Sequence, residues 1–255
     1  MPNVLAIVAH PDDIEFVIAG TLLQLAARGW GVHYMNVANG CCGSMTTDRI
    51  ATARIRLEEA RSAAQCIPAK FYHPICDDMA IFYNAMTLAK IASVVRQSAP
   101  TIVLTHSPQD YMEDHEVACR LTVGGTFVKS MPNYITDPPV APVDGPVAIY
   151  HAQPHGNKSP LGEIVHPDVF VNIAPVLETK VRMLRCHASQ EGWLDETQKM
   201  SSYVESMTTN GELMGQLSKR YSVAEGFRKH IHLGLSHEGF DPLREALDQD
   251  ACEAS

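Results

Sequence analysis

The run Val4-Leu5-Ala6-Ile7-Val8-Ala9 is followed at once by His10-Pro11-Asp12-Asp13 and then by an amphipathic stretch. No other segment constrains the fold so tightly. The run is short and rich in β-formers, which predicts a strand of a parallel sheet buried on both faces. Ile14, Val17, Ile18, Leu22, Leu25 and Ala26 then recur at helical spacing as far as Gly29, a C-cap residue. A strand-turn-helix unit at this place usually carries a glycine-rich phosphate loop. Here the turn carries an imidazole and two carboxylates instead, a set suited to a divalent metal and a general base.

The alternation continues. Gly31 to Ala38 predicts a second strand, ended by the turn Asn39-Gly40. Asp48 predicts the cap of a long helix with Ile50, Ala53, Ile55, Leu57, Ala60, Ala64 and Ile67 inward. A third strand is expected over about Lys70 to Ile75, a helix near Asn84 to Gln97, a fourth strand over Thr101 to Thr105, and a helix from about Asp114 to Lys129. Short connections between such elements mean right-handed crossovers. The expected fold is therefore α/β: a Rossmann-like, doubly wound, mostly parallel sheet with helices on both faces. The second half is less regular. Pro132 to Pro146 holds five prolines and predicts a long surface loop. Val147 to Ala152 and Asp168 to Ile173 predict two more strands, and Pro175 to His187 and Trp193 to Ser218 predict helices. With neither a repeat nor a boundary, residues 1–255 are expected to form a single domain, with 1–130 as the core and 131–255 completing it.

Composition narrows the function. A formal charge of −9 argues against nucleic acid and anionic membrane surfaces. No apolar stretch approaches the ~20 residues of a membrane span, and the chain enters its first strand by Val4, so a cytoplasmic location is expected. After the first strand there is no Gly-x-Gly-x-x-Gly, which argues against a dinucleotide. The seven cysteines are odd in number and show no Cys-x-x-Cys spacing, which argues against a disulfide framework or a thiolate zinc site. Cys41-Cys42 sits in a Gly-flanked loop and reads either as a bystander or as pocket lining.

Hydrolytic zinc commonly takes three N/O ligands and keeps one position open. His10 and Asp13, three apart at a strand-to-helix turn, can aim at one point, while Asp12 between them is free to act as a base. The loop after the fourth strand carries Asp110-Tyr111-Met112-Glu113-Asp114-His115. In a doubly wound sheet, strands one and four flank the crevice where strand order reverses, so the two clusters converge. Taken singly, each is equally a helix N-terminus, with Asp12, Asp13 or Asp114 as the cap.

These residues resemble the PIG-L/LmbE-like family of zinc-dependent N-deacetylases. Ala9-His10-Pro11-Asp12-Asp13-Ile14-Glu15 is similar to its opening motif with one residue inserted before the Glu. Asn39-Gly40-x-x-Gly43-Ser44, Arg56-x-x-Glu59-Ala60, Asp114-His115, His187-x-Ser189-Gln190 and Ala224-Glu225-Gly226-Phe227 resemble later motifs. The resemblance implies His10, Asp13 and His115 as metal ligands, Asp12 as general base, and Asp114 as a catalytic-site residue that either supports the ligands from behind or takes part in the charge network. It also implies Arg56 and Asp78 as sugar contacts, with Asp77 equally placed for the second role. The implied cofactor is zinc, or iron(II), since such sites accept both. The implied substrate is a small N-acetylglucosamine-type amino sugar or conjugate, and the implied assembly a homo-trimer or hexamer. One departure stands out: Met112 occupies the place of a His that polarises the carbonyl in many relatives. His106, His151 and His155 are the side chains that can substitute. The competing expectations are a metal-dependent hydrolase of another amide or ester and a non-catalytic zinc-binding member.

Overall fold

The computed structural model describes residues 1–190 and 203–254. Its centre is an eight-stranded mixed sheet in the order β3-β2-β1-β4-β5-β7-β6-β8. The strands are β1 (Asn3–Val8), β2 (Gly31–Asn36), β3 (Ala69–Tyr72), β4 (Ile102–Thr105), β5 (Ala148–Ala152), β6 (Val169–Asn172), β7 (Ala224–Lys229) and β8 (Ala251–Glu253). The first five are mutually parallel, and Val4 of β1 stands between Val32 of β2 and Ile102 of β4. From β1 the chain winds outward to β2 and β3, then returns to lay β4 on the other side. The loops after β1 and β4 therefore open side by side at the reversal point, as the doubly wound reading requires.

Both faces of β1 are covered, which explains its unbroken apolar run. Val4, Ala6 and Val8 pack with Ile14 and Leu22 of α1 (Asp13–Val17) and α2 (Ala19–Ala27), and with Met183 of α6 (Leu177–Leu184). Leu5 and Ile7 face Ile91 and Val95 of α4 (Ala85–Ser98), and Val117 and Leu121 of α5 (Glu113–Phe127). The single helix expected after β1 is broken at Ile18, whose φ of −134° leaves the helical region.

Helix α3 (Arg49–Gln65) starts at the expected cap, with Asp48 accepting the Ala51 N–H at 2.8 Å. Its inward face differs from the expected one. Thr52, Arg56, Ala60, Ala63 and Ala64 are buried, while Ile50 is 84% and Ile55 37% exposed. The reason lies in Arg56, whose guanidinium finds ionic partners in the crevice and so turns a polar face inward.

The C-terminal part adds three antiparallel pairings: β5 with β7, β7 with β6, and β6 with β8. Of these strands β5 and β6 were expected, and β7 and β8 were not. The segment 132–146 is irregular, as its prolines predict. It is pinned by Arg96, which donates to the carbonyls of Val128, Lys129, Met131 and Val140. The helix expected over Trp193 to Ser218 is described as α7 (Tyr203–Ser218), its earlier part lying outside the described residues. A last helix, α8, spans Pro242–Leu247. Among the described residues no helix is long and apolar enough to cross a membrane.

Candidate active site

The loops after β1 and β4 border a cavity of about 220 Å³ whose lining includes His10, Asp12, Asp13, Arg56, Asp78, Asp110, Met112 and His115. The turn after β1 is unusual in its backbone. Asp12 has φ +104°, a conformation few non-glycine residues adopt. It precedes α1 as an N-cap would, but its side chain makes no capping bond. The carboxylate is instead held over the cavity by Arg56, whose Nη2 donates to Asp12 Oδ2 at 2.7 Å and also to the Pro11 carbonyl. Arg56 Nη1 reaches Glu59 at 2.8 Å. Gly40, at φ +74°, is required here: a Cβ would stand 2.9 Å or less from the Arg56 stem.

Asp13 sits at the centre of three imidazoles. His10 Nδ1 is 3.5 Å from its Oδ2, His106 Nε2 3.2 Å from the same oxygen, and His115 Nε2 3.5 Å from its Oδ1. In His10 and His115 the other ring nitrogen is held by a carboxylate. His10 Nε2 pairs with Asp114 Oδ2 at 3.0 Å, and His115 Nδ1 with Asp110 Oδ1 at 3.0 Å. Met79 N–H steadies Asp114 from behind at 2.7 Å. Two carboxylate–histidine pairs thus present His10 Nδ1 and His115 Nε2 toward Asp13, the orientation such pairs give to metal-binding imidazoles. Ligand atoms of His10, Asp13 and His115 lie within 4.8 Å of one another, so this donor set fits a divalent ion. A second overlapping set, His106, Asp110 and His115, is less suited. Asp110 is engaged by His115, and His106 Nε2 already accepts the Ala9 N–H at 2.9 Å.

Electrostatics follow from crowding. Burial lifts the Asp12 carboxyl above its usual range, and Asp13 lifts it further, while Arg56 opposes. Burial would also raise Asp13, but His115 and His106 outweigh it and hold Asp13 well below the usual carboxylate range. Burial disfavours charge on His10, yet Asp114 and Asp13 prevail and push it up to about 10. The two adjacent aspartates are thereby driven apart: Asp12 is the more basic and Asp13 the firm anion.

The remaining expected residues are placed as follows. Asp78 lines the cavity and accepts N–H bonds from Gly40 and Cys42, whereas Asp77 binds Asn39 and Arg49. His187 is buried against Glu15, Ser189 binds Glu59, and Gln190 donates to the Gly43 carbonyl. Glu225 is remote from the cavity lining. It accepts N–H bonds from Gly20 and Thr21 at the start of α2 and pairs with buried Lys180 at 2.6 Å. Met112 lies on the cavity wall. Of the three histidines able to substitute for it, His151 is turned away onto the His106 carbonyl and His230. His106 stacks on His115 with centroids 4.0 Å apart, and His155 lines the cavity beside Tyr111. Three groups went unassigned in the sequence. Asp110 stands five residues before His115, a spacing visible in the chain. Gln153 lies beyond any motif, its buried amide lining the cavity with neither atom bonded among the described residues. Buried Tyr203, whose phenol burial and the Asp12 charge push well up, belongs to a helix remote in sequence.

Comparison with known proteins bears on the family and the fold. The family described as PIG-L, GlcNAc-PI de-N-acetylase, matches residues 5–124. Diacetylchitobiose deacetylase of Thermococcus kodakarensis is 31% identical over 197 residues, covering 74% of this chain and 70% of that protein. 4-Oxalmesaconate hydratase of Pseudomonas putida is 27% identical over 199 residues, covering 74% of each. The crystal structure of N,N'-diacetylchitobiose deacetylase from Pyrococcus horikoshii superposes with a TM-score of 0.75 at 22% identity, over 94% of this chain and 88% of that one, and shows the shared fold. On the strength of the matched core and the 31% identity over most of its length, this chain belongs to the PIG-L family of de-N-acetylase enzymes.

Proposed function

We propose that the protein hydrolyses the N-acetyl amide of an N-acetylglucosamine-type amino sugar or its conjugate. The observation that carries this reading is the placement of His10 and His115, each oriented by a carboxylate, around Asp13, with Asp12 beside them on the same cavity wall. A zinc or iron(II) ion held by His10, Asp13 and His115 would polarise the acyl oxygen and lower the pKa of a water. Asp12 does the proton work. Arg56 holds its Oδ2, so Oδ1 takes the proton from the attacking water and returns it to the departing amine nitrogen. Acetate and a free amine are the products. Arg56 is committed to Asp12, Glu59 and Pro11, so it serves the substrate by orienting Asp12. His155 takes the place left by Met112. Burial lowers its pKa, which keeps the ring neutral and able to donate one N–H to the developing oxyanion. Asp78 and Gln153 are the sugar-hydroxyl partners, the latter because its buried amide has unused donors and acceptors.

A second reading is hydration of an unsaturated acid, favoured by the similarity to the oxalmesaconate hydratase and by Met112. The described cavity lining weakens it: among the described residues the one Lys or Arg on the wall is Arg56, already paired, which leaves carboxylates of such a substrate without a cation from them. Acetate release from a panel of N-acetylglucosaminyl conjugates separates the readings. We expect release by the wild type and a loss of roughly 10²–10⁴ in Asp12→Asn, which still binds metal. Water addition to an unsaturated acid without acetate release from any conjugate would replace the deacetylase with the hydratase.

A further inference from the structure

One more set of metal-type donors converges among the described residues outside the His10–Asp13–His115 centre: the Cys41 and Cys42 thiols and the Asp78 carboxylate, all within 4.8 Å of one another. Consecutive side chains on extended backbone point to opposite faces. Here the turn at Gly40 brings both thiols to one side, with their sulfurs 4.0 Å apart. The loop is held in that shape from three directions. Asn39 Oδ1 accepts the Cys41 N–H, and the two Asp78 oxygens accept the N–H groups of Gly40 and Cys42. Two thiolates on a tetrahedral zinc, each at about 2.3 Å, stand about 3.8 Å apart, so the pair needs almost no rearrangement to share one ion. Each Asp78 oxygen accepts a single N–H, which leaves each a lone pair for a third contact. Cys41 is buried and Cys42 exposed, and Cys42 and Asp78 both line the cavity that holds Asp12. The Cys-x-x-Cys spacing that the sequence lacks is therefore not the only route to a thiolate site: adjacent cysteines in a turn achieve the same convergence.

We propose that Cys41, Cys42 and Asp78 form a second cation site, for a thiophilic divalent ion such as Zn²⁺ or Cd²⁺, at the rim of the active-site cavity. On binding, two S–H bonds break and two S–metal bonds form. Two protons pass to solvent and nothing is oxidised. With three protein donors, a fourth position would be left for water. The site requires no turnover, but it shares Asp78 with the proposed sugar contacts, so a bound ion and a sugar hydroxyl would compete for that carboxylate.

The test is a Co²⁺ titration of the metal-free, reduced full-length protein followed by absorption. The His10–Asp13–His115 set contains no sulfur and yields only weak visible bands. The thiolate site yields an intense sulfur-to-cobalt charge-transfer band in the near ultraviolet. We expect two equivalents to bind to the wild type, with the charge-transfer band tracking one of them. The double variant Cys41→Ser/Cys42→Ser should lose that band while keeping the weak visible bands, which also reports that it folds. His10→Ala should show the converse. A wild type with no charge-transfer band overturns the proposal, as does a band that survives in the double serine variant and so belongs to other cysteines.

Discussion

At the scale of single residues, the site depends on which atom of each side chain is already occupied. His10 and His115 each give one ring nitrogen to a carboxylate, Asp114 or Asp110, and turn the other toward Asp13. Replacing either carboxylate by its amide leaves size unchanged but removes the charge that fixes the ring. Asp110→Asn and Asp114→Asn are expected to weaken metal binding by roughly 10–100-fold, which competition with a chromophoric chelator measures. Asp110 opens the loop cluster singled out in the sequence but received no role there, because a carboxylate acting through a neighbour leaves no chemical signature of its own. His33 gives a prediction of another kind. Burial, with Lys70 nearby, pushes it down to about 4. The unfolded chain therefore takes up this proton below about 6.5, while the native state does so only below about 4. Its contribution is whole above pH 6.5 and is lost as pH falls from 6.5 to 4. The urea midpoint of His33→Gln should accordingly fall less steeply over that interval than that of the wild type.

At the scale of elements, the parallel half was legible because its signals are local. Apolar runs of strand length, the caps Asp48 and Asn84, and the break at Pro100 each act within a few residues. Two failures were non-local. Helix α3 turns Arg56 inward and leaves Ile50 outside because its partners lie on the turn after β1, which no helical periodicity of α3 can encode. Strand β7 escaped notice because its buried Glu225 breaks the apolar alternation. That glutamate is a strut between elements, binding the first N–H groups of α2 and the ammonium of Lys180 on α6. Glu225→Gln would leave the buried ammonium uncompensated, and we expect a loss of about 3–5 kcal/mol by chemical denaturation. The metal stoichiometry of the folded fraction should be unchanged, since Glu225 lies outside the cavity wall.

At the scale of the whole molecule, topology makes the site. The winding reversal between β1 and β4 sets two loops more than ninety residues apart in the chain against one another. The crevice between them collects His10, Asp12 and Asp13 from one and Asp110, Asp114 and His115 from the other. The metal-type residues were readable because strand order could be inferred from the alternation of elements. Gln153 was not placed in the sequence because it reaches the cavity from the irregular half, where periodicity says little about position. The central claim is that one ion at His10, Asp13 and His115, with Asp12 beside it, performs the hydrolysis. The most direct test is acetate release from an N-acetylglucosaminyl conjugate as metal-free protein is titrated with Zn²⁺. We predict activity rising from zero in proportion to the first equivalent bound at these ligands, with His10→Ala and Asp12→Asn flat throughout. Acetate release by the metal-free wild type, or by Asp12→Asn at the wild-type rate, would contradict it.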